Sequence, residues 1–218
     1  MIKSLQCLKC RSKYRTSYQG KKPVCAACRK HFENGVESTV ENKIKNLGSN
    51  SFATKKTNEM GKLAEKKFFI FCSKYPFMKL RNATKYEELI YHYDYVLQII
   101  LNNEFKYFRI EVKSMKSRKR GEKQDPNIIF LEYKNIDGGL GWLYGSSDYI
   151  AFEQDKFFIL FPRADLVKFA EIKRKTIKIV KNSGIVNTLY SRKNRKDLVG
   201  CFSLNEIKEK CTKFHILN

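Results

Sequence analysis

Glu111, Val112 and Lys113 form the triplet that carries the most chemistry in this chain. On a β-strand, residues two apart project from one face, which sets the Glu111 carboxylate beside the Lys113 ammonium and turns Val112 into the core. Asp94 lies in the preceding segment YHYDYVLQII, and hairpin pairing of the two segments brings it next to Glu111. Two carboxylates converging beside a lysine make a divalent-metal site. All-oxygen ligation suits Mg²⁺, whose remaining ligands are water and phosphate oxygens. The bland alternative is a solvated strand edge with Glu111 and Lys113 as an exposed pair, worth ~0.5 kcal/mol. A second chemistry sits near the N-terminus: Cys7-x-x-Cys10, fourteen residues, then Cys25-x-x-Cys28. Two such turns complete a tetrahedral thiolate site for Zn²⁺, and four protein ligands leave no open position, so that zinc is structural. Without a secretion signal, disulfides are disfavoured. His31 is not needed as a ligand, and the scattered Cys72, Cys201 and Cys211 read as small core residues.

These residues need elements to hold them. The segment NEMGKLAEKKFFIFCSKY places Met60, Leu63, Ala64, Phe68, Phe71 and Cys72 near one face at helical spacing, with Asn58 as the cap. YHYDYVLQII and FKYFRIEVKS read as a β-hairpin turning at Asn102 and Asn103. After the basic loop SMKSRKRGEKQDP comes a further strand, NIIFLEY. Beyond the glycine-rich turn IDGGLGWLYGSS, DYIAF and KFFILF read as a second hairpin. PRADLVKFAEIK is a helix with Pro162 near its first turn, and Ser203 with Glu206 fits a capping box on a last short helix. His92, two residues before Asp94, would share its face in strand alternation, and Trp142 is expected to pack in the core.

In this order the motifs resemble the PD-(D/E)XK nuclease superfamily: Asp94, then Glu111-x-Lys113 in the next strand, with Tyr93 where the family name has Pro. The helix start Gly61-Lys62-Leu63-Ala64-Glu65 is similar to that of archaeal Holliday-junction resolvases and related phage endonucleases, and Glu132 falls in the following strand. The resemblance covers about residues 57–170 and implies an α/β fold, a restriction-endonuclease-like core with a mixed central sheet flanked by helices. It implies Glu65, Asp94, Glu111 and Lys113 as catalytic residues, with Asp94 and Glu111 holding catalytic Mg²⁺. Lys113 would orient water or stabilise charge, and Glu65 would serve a second metal or its hydration shell. The activity implied is Mg²⁺-dependent DNA endonucleolysis, of restriction or phage type or as a resolvase, and resolvases imply a homodimer. The first 33 residues resemble a zinc ribbon. A non-catalytic zinc-ribbon nucleic-acid-binding protein with a degenerate core is the competing class.

Composition agrees with a nucleic-acid partner. Forty-four Lys and Arg against 22 Asp and Glu give +22, on a chain 42% hydrophobic. That is apolar enough for a core, and a polyanion is the first partner to expect. The charge is divided as +9 over residues 1–60, +4 over 61–167 and +9 over 168–218. Acids therefore gather in the middle between two basic ends. Lys116, Arg118, Lys119, Arg120 and Lys123 follow the Glu111 strand and are expected to grip the phosphates of duplex or branched DNA. Basic residues from Lys173 to Lys178 and from Arg192 to Lys196 would make a second phosphate surface. The organisation expected is a zinc ribbon at 1–36, a linker at 37–56, the nuclease core at 57–170 and a basic extension at 171–218. No run approaches the ~20 apolar residues of a membrane span. The N-terminus lacks a signal-peptide pattern, so a cytoplasmic or nucleoid-associated location is expected. A Ser or Cys nucleophile has no recognisable histidine partner.

Overall fold

The structure is a computed structural model that describes residues 3–6, 13–16, 52–101, 103–118, 121–180, 185–192 and 194–217. It divides into two units, Met1–Ser51 and Phe52–Asn218. In the first, β1 (Lys3–Gln6) pairs antiparallel with β2 (Lys13–Thr16). Cys7, Cys10, Cys25, Cys28 and His31 lie outside the described residues.

The second unit is mixed α/β, with four α-helices among the described residues and a six-stranded mixed sheet. Its elements begin with α1 (Phe52–Ser73), β3 (Met78–Asn82), α2 (Lys85–Tyr91), β4 (Tyr95–Leu101) and β5 (Glu104–Lys113). Then come β6 (Ile128–Lys134), a 3-10 turn (Trp142–Tyr144), β7 (Tyr149–Glu153), β8 (Phe158–Pro162) and α3 (Arg163–Thr176). The last are β9 (Ile179–Val180), β10 (Thr188–Tyr190), β11 (Leu198–Ser203), α4 (Leu204–Lys210) and β12 (His215–Leu217). The large sheet runs β12-β8-β7-β5-β4-β3, antiparallel throughout except for the parallel pair β5–β7. Parallel neighbours need a long crossover, and residues 114–148, carrying β6 and the 3-10 turn, supply it.

Period-two alternation sorts the two faces. Ile110 and Val112 of β5, Tyr95 and Leu97 of β4 and Ala151 of β7 pack against Ala64, Phe68 and Cys72 of α1, which recur every four residues along the helix. Ile150, Phe152, Ile159 and Phe161 face the other way, onto Leu131 and Tyr133 of β6, Leu166 and Phe169 of α3 and Phe202 of β11. Both faces of β7 and β8 are covered, which is why DYIAF and KFFILF read as nearly continuous apolar runs.

Several expectations need correction. The helix begins at Phe52, inside the expected linker, so Asn58 is an interior residue and not its cap. The strand holding Asp94's segment starts only at Tyr95, because Thr84 and Glu87 close a capping box that winds residues 85–91 into α2. His92 ends that helix in the left-handed region at φ 53°, so it does not share a strand face with Asp94. β6, expected as the next strand of the central sheet, instead begins a second sheet, β6-β11-β10-β9. Residues 171–218 are not an extension: β9, β10 and β11 build that second sheet and β12 forms the edge of the first. Ser203 caps α4 by position but makes no side-chain cap bond, and the Glu206 side chain pairs with Lys173 instead of closing the box. Among the described residues no helix is long and apolar enough to cross a membrane.

Candidate active site

The site forms where β4 begins and β5 ends. The β4–β5 register pairs Tyr95 with Ile110, so Asp94 and Glu111 are opposed one step further on. Asp94 is fixed on both sides. Its N–H donates to the Ile110 carbonyl at 2.8 Å, and its carbonyl accepts from the Ala83 N–H at 2.7 Å. Its Oδ2 accepts from the Val112 N–H at 2.6 Å. The lead-in is held by Glu87, which takes two bonds from Arg81, at 2.8 and 3.0 Å, and one from the Tyr93 hydroxyl at 2.6 Å. The Arg81 guanidinium holds the Glu87 carboxyl down at about 2, helped by the Thr84 N–H and the Tyr93 hydroxyl.

Glu111 is 5% exposed, and its Oε1 accepts from the Lys113 ammonium. That ammonium also lies 4.7 Å above the ring of Trp142. Burial alone would lower the Lys113 pKa, but Glu111 and Asp94 outweigh it and raise it. Trp142 is placed by close backbone approach: the Gly141 N–H donates to the Tyr133 carbonyl at 3.0 Å, and the Trp142 N–H to Glu132 Oε2 at 3.4 Å. Glu132 therefore reaches Lys113's surroundings from the second sheet. Burial raises its pKa, against the Trp142 N–H and the Lys113 charge. The Asp148 carboxylate clamps β5 to β7, accepting from the Arg109 N–H at 2.8 Å and from its guanidinium at 3.0 and 2.8 Å.

Asp94 is pushed up to about 8, first by burial and then by the Glu111 carboxylate, against the pull of Lys113 and the Val112 N–H. Glu65, on α1, is raised by burial, by Glu88 and by Glu111, with Lys113 opposing. Four residues separated by up to 48 positions thus share one electrostatic environment, and Glu88 of α2 joins them. Sequence reasoning missed Glu88, although the Thr84-x-x-Glu87 pattern would have marked its helix.

The donor chemistry fits a hard divalent cation. Among the described residues, the side-chain bonds to Asp94 and Glu111 go to Oδ2 and Oε1, and burial, followed by the Glu111 carboxylate, favours the protonated form of Asp94. No three Asp, Glu, His or Cys side chains converge as a metal-ligating group among the described residues. Mg²⁺, which keeps several waters, needs only one or two carboxylates. The sign for stability follows. Folding favours protonated Asp94, so its contribution is full below its ordinary 3.8 and lost as pH rises through about 8. Without metal, the Tm gap between wild type and Asp94→Asn is expected to widen in the variant's favour from pH 5 to 9, and Mg²⁺ to narrow it. Thermal melts in EDTA and in Mg²⁺ read this, and a gap independent of pH refutes it.

The basic residues after β5 divide. Lys116 is partly buried, and burial together with Lys113 lowers its pKa. Arg118 pairs with Asp125 at 2.7 Å, Lys123 is exposed, and Lys119 and Arg120 lie outside the described residues. In the second basic stretch, Lys173 is engaged by Glu206 and Arg192 by the buried Asp197. Compared with known proteins, the chain matches no protein-family model, no curated protein and no solved structure.

Proposed function

We propose that this protein is a Mg²⁺-dependent DNA endonuclease of the restriction, phage or junction-resolving kind. The observation that carries the reading is the opposition of Asp94 to Glu111 across β4–β5, with Lys113 bonded to Glu111 and Glu65 within their field. The net charge of +22 supports a polyanionic substrate, and the resemblance to PD-(D/E)XK nucleases supports DNA. Asp94 and Glu111 would hold Mg²⁺, which when bound polarises a phosphoryl oxygen and lowers the pKa of an attacking water. Lys113, its pKa raised, stays an ammonium at neutral pH. It therefore stabilises charge gathering on the phosphate rather than accepting the water's proton. Cys7, Cys10, Cys25 and Cys28 would hold a structural Zn²⁺ by their spacing.

Incubation with supercoiled plasmid, single-stranded DNA and a four-way junction, in Mg²⁺ or EDTA, tests the reading. Metal-dependent cleavage of at least one is expected. The rival is a nucleic-acid binder with a degenerate core. Retardation of these DNAs with no cleavage of any would select that rival. Trp142 supplies a finer check. Trp142→Leu removes the face under Lys113, worth about 1 kcal/mol, so cleavage is expected to slow about fivefold. Trp142→Phe should retain most of the rate in the same plasmid assay.

A further inference from the structure

We propose that Glu153 is a positioning residue that locks the two halves of the active site to each other, an inference that rests on the nuclease reading above. Glu153 ends β7, the strand beside β5, and is 5% exposed at the close of an apolar run. Its two oxygens go to different elements. Oε1 accepts from the Lys67 ammonium of α1 at 2.5 Å, and Oε2 accepts from the Met115 N–H, just past β5, at 3.2 Å. Lys67 stands two residues after Glu65, and Met115 two residues after Lys113.

The geometry gives this carboxylate a task that hydrophobic packing does not do. α1 meets the sheet through Ala64, Phe68 and Cys72 and through the Tyr95 hydroxyl, which donates to the Glu65 carbonyl at 3.0 Å; none of these reaches the exit of β5 beyond Lys113, which Glu153 does. Beyond Lys113 the chain leaves the β5 ladder, so the exit at Ser114–Lys116 relies on bonds other than strand pairing. Glu153 ties both to the rigid β7. A cavity of about 80 Å³ beside it, lined by Lys113, Ser114, Met115, Lys116, Trp142 and Glu153 among others, leaves room for the exit to shift once the bond is gone. A displacement of Lys113 or Glu65 by about 1 Å is enough to cost two orders of magnitude in rate.

Glu153 is enclosed but the Lys67 side chain is 48% exposed, so if the pair served stability alone its removal would cost little and leave kcat unchanged. That separates the two roles. The variants are Glu153→Leu, Glu153→Gln, which keeps an acceptor for Met115, and Lys67→Met. Each is measured in the full chain by plasmid-cleavage kcat and KM, by Tm, and by hydrogen exchange at the Met115 amide. Glu153→Leu is expected to lower kcat at least ~10-fold with KM within ~2-fold and to speed Met115 exchange, while amides of β7 and β8 stay protected. Glu153→Gln should restore Met115 protection and most of kcat, and Lys67→Met should fall between. Wild-type kcat in Glu153→Leu, or exchange accelerated equally across the whole chain, overturns the assignment of Glu153 alone. A wild-type chain that cuts no DNA overturns the nuclease reading and this role with it.

Discussion

Asp94→Asn is expected to abolish Mg²⁺-dependent cleavage while leaving the protein as stable as wild type, or more so. The activity loss should reach at least ~10³-fold, and the same is expected of Glu111→Gln, because each would remove one of the two anionic oxygen donors of the proposed metal site. The stability half of the result is the more diagnostic. The asparagine carbonyl still accepts from the Val112 N–H, so the bond that fixes the strand end survives. What disappears is a partly buried charge crowded by Glu111, the two causes that push Asp94 up to about 8. A site that is costly without its cation is what a metal-dependent enzyme shows when stability is exchanged for chemistry. Plasmid nicking rates and thermal melts at pH 8 in EDTA read both halves. Cleavage within tenfold of wild type, or a Tm lower by several degrees, contradicts the assignment of Asp94.

Gly141→Ala is expected to destabilise the fold by about 3 kcal/mol or more. The backbone itself tolerates alanine there, at φ −72° and ψ 169°, so strain is not the issue. Space is. A Cβ on Gly141 would lie 2.6 Å from the Glu132 carbonyl carbon and nearer still to its oxygen, both backbone atoms in a paired strand that cannot rotate away. Relief requires the 3-10 turn to lift from β6, which breaks the Gly141–Tyr133 bond and carries Trp142 off Lys113. Urea unfolding should show a lower midpoint. Cleavage by the folded fraction should fall as well, since Lys113 loses the face that orients it. A variant with unchanged midpoint would mean that the turn is not seated on β6 as described.

The parts of this architecture legible in the sequence are those set by short-range pattern. Ala64, Phe68 and Cys72 at helical spacing marked α1, and the apolar runs at 148–152 and 156–161 marked β7 and β8. Asn102 and Asn103 marked a turn, and Asn103 does adopt φ 60°. The opposition of Asp94 to Glu111 also followed from local pairing, since only one hairpin separates them. What escaped was set at long range. NIIFLEY has the pattern of any half-buried strand, and nothing in it says that its partner is β11, some 70 residues on, rather than β5. The basic appearance of residues 171–218 hid strands whose apolar residues, Leu189, Leu198 and Phe202, close the core. Glu132 and Trp142 enter the site through that distant pairing, and their part in holding Lys113 was invisible for the same reason.

The edge strand β12 has a consequence for how the protein is made. β8 pairs with β7 on one side and with residues 215–217 on the other, and β6 waits for residues 198–203. As the chain leaves the ribosome, Asp94, Glu111 and Lys113 are all exposed to the cell long before either sheet has its full set of strands. The turn that carries Trp142 sits on β6, and β6 has no partner strand until β11 emerges. Between those moments the nascent protein presents open strand edges. The proposed site would thus gain its full scaffold only once residues 198–217 have emerged, and the order of translation would hold it idle until then.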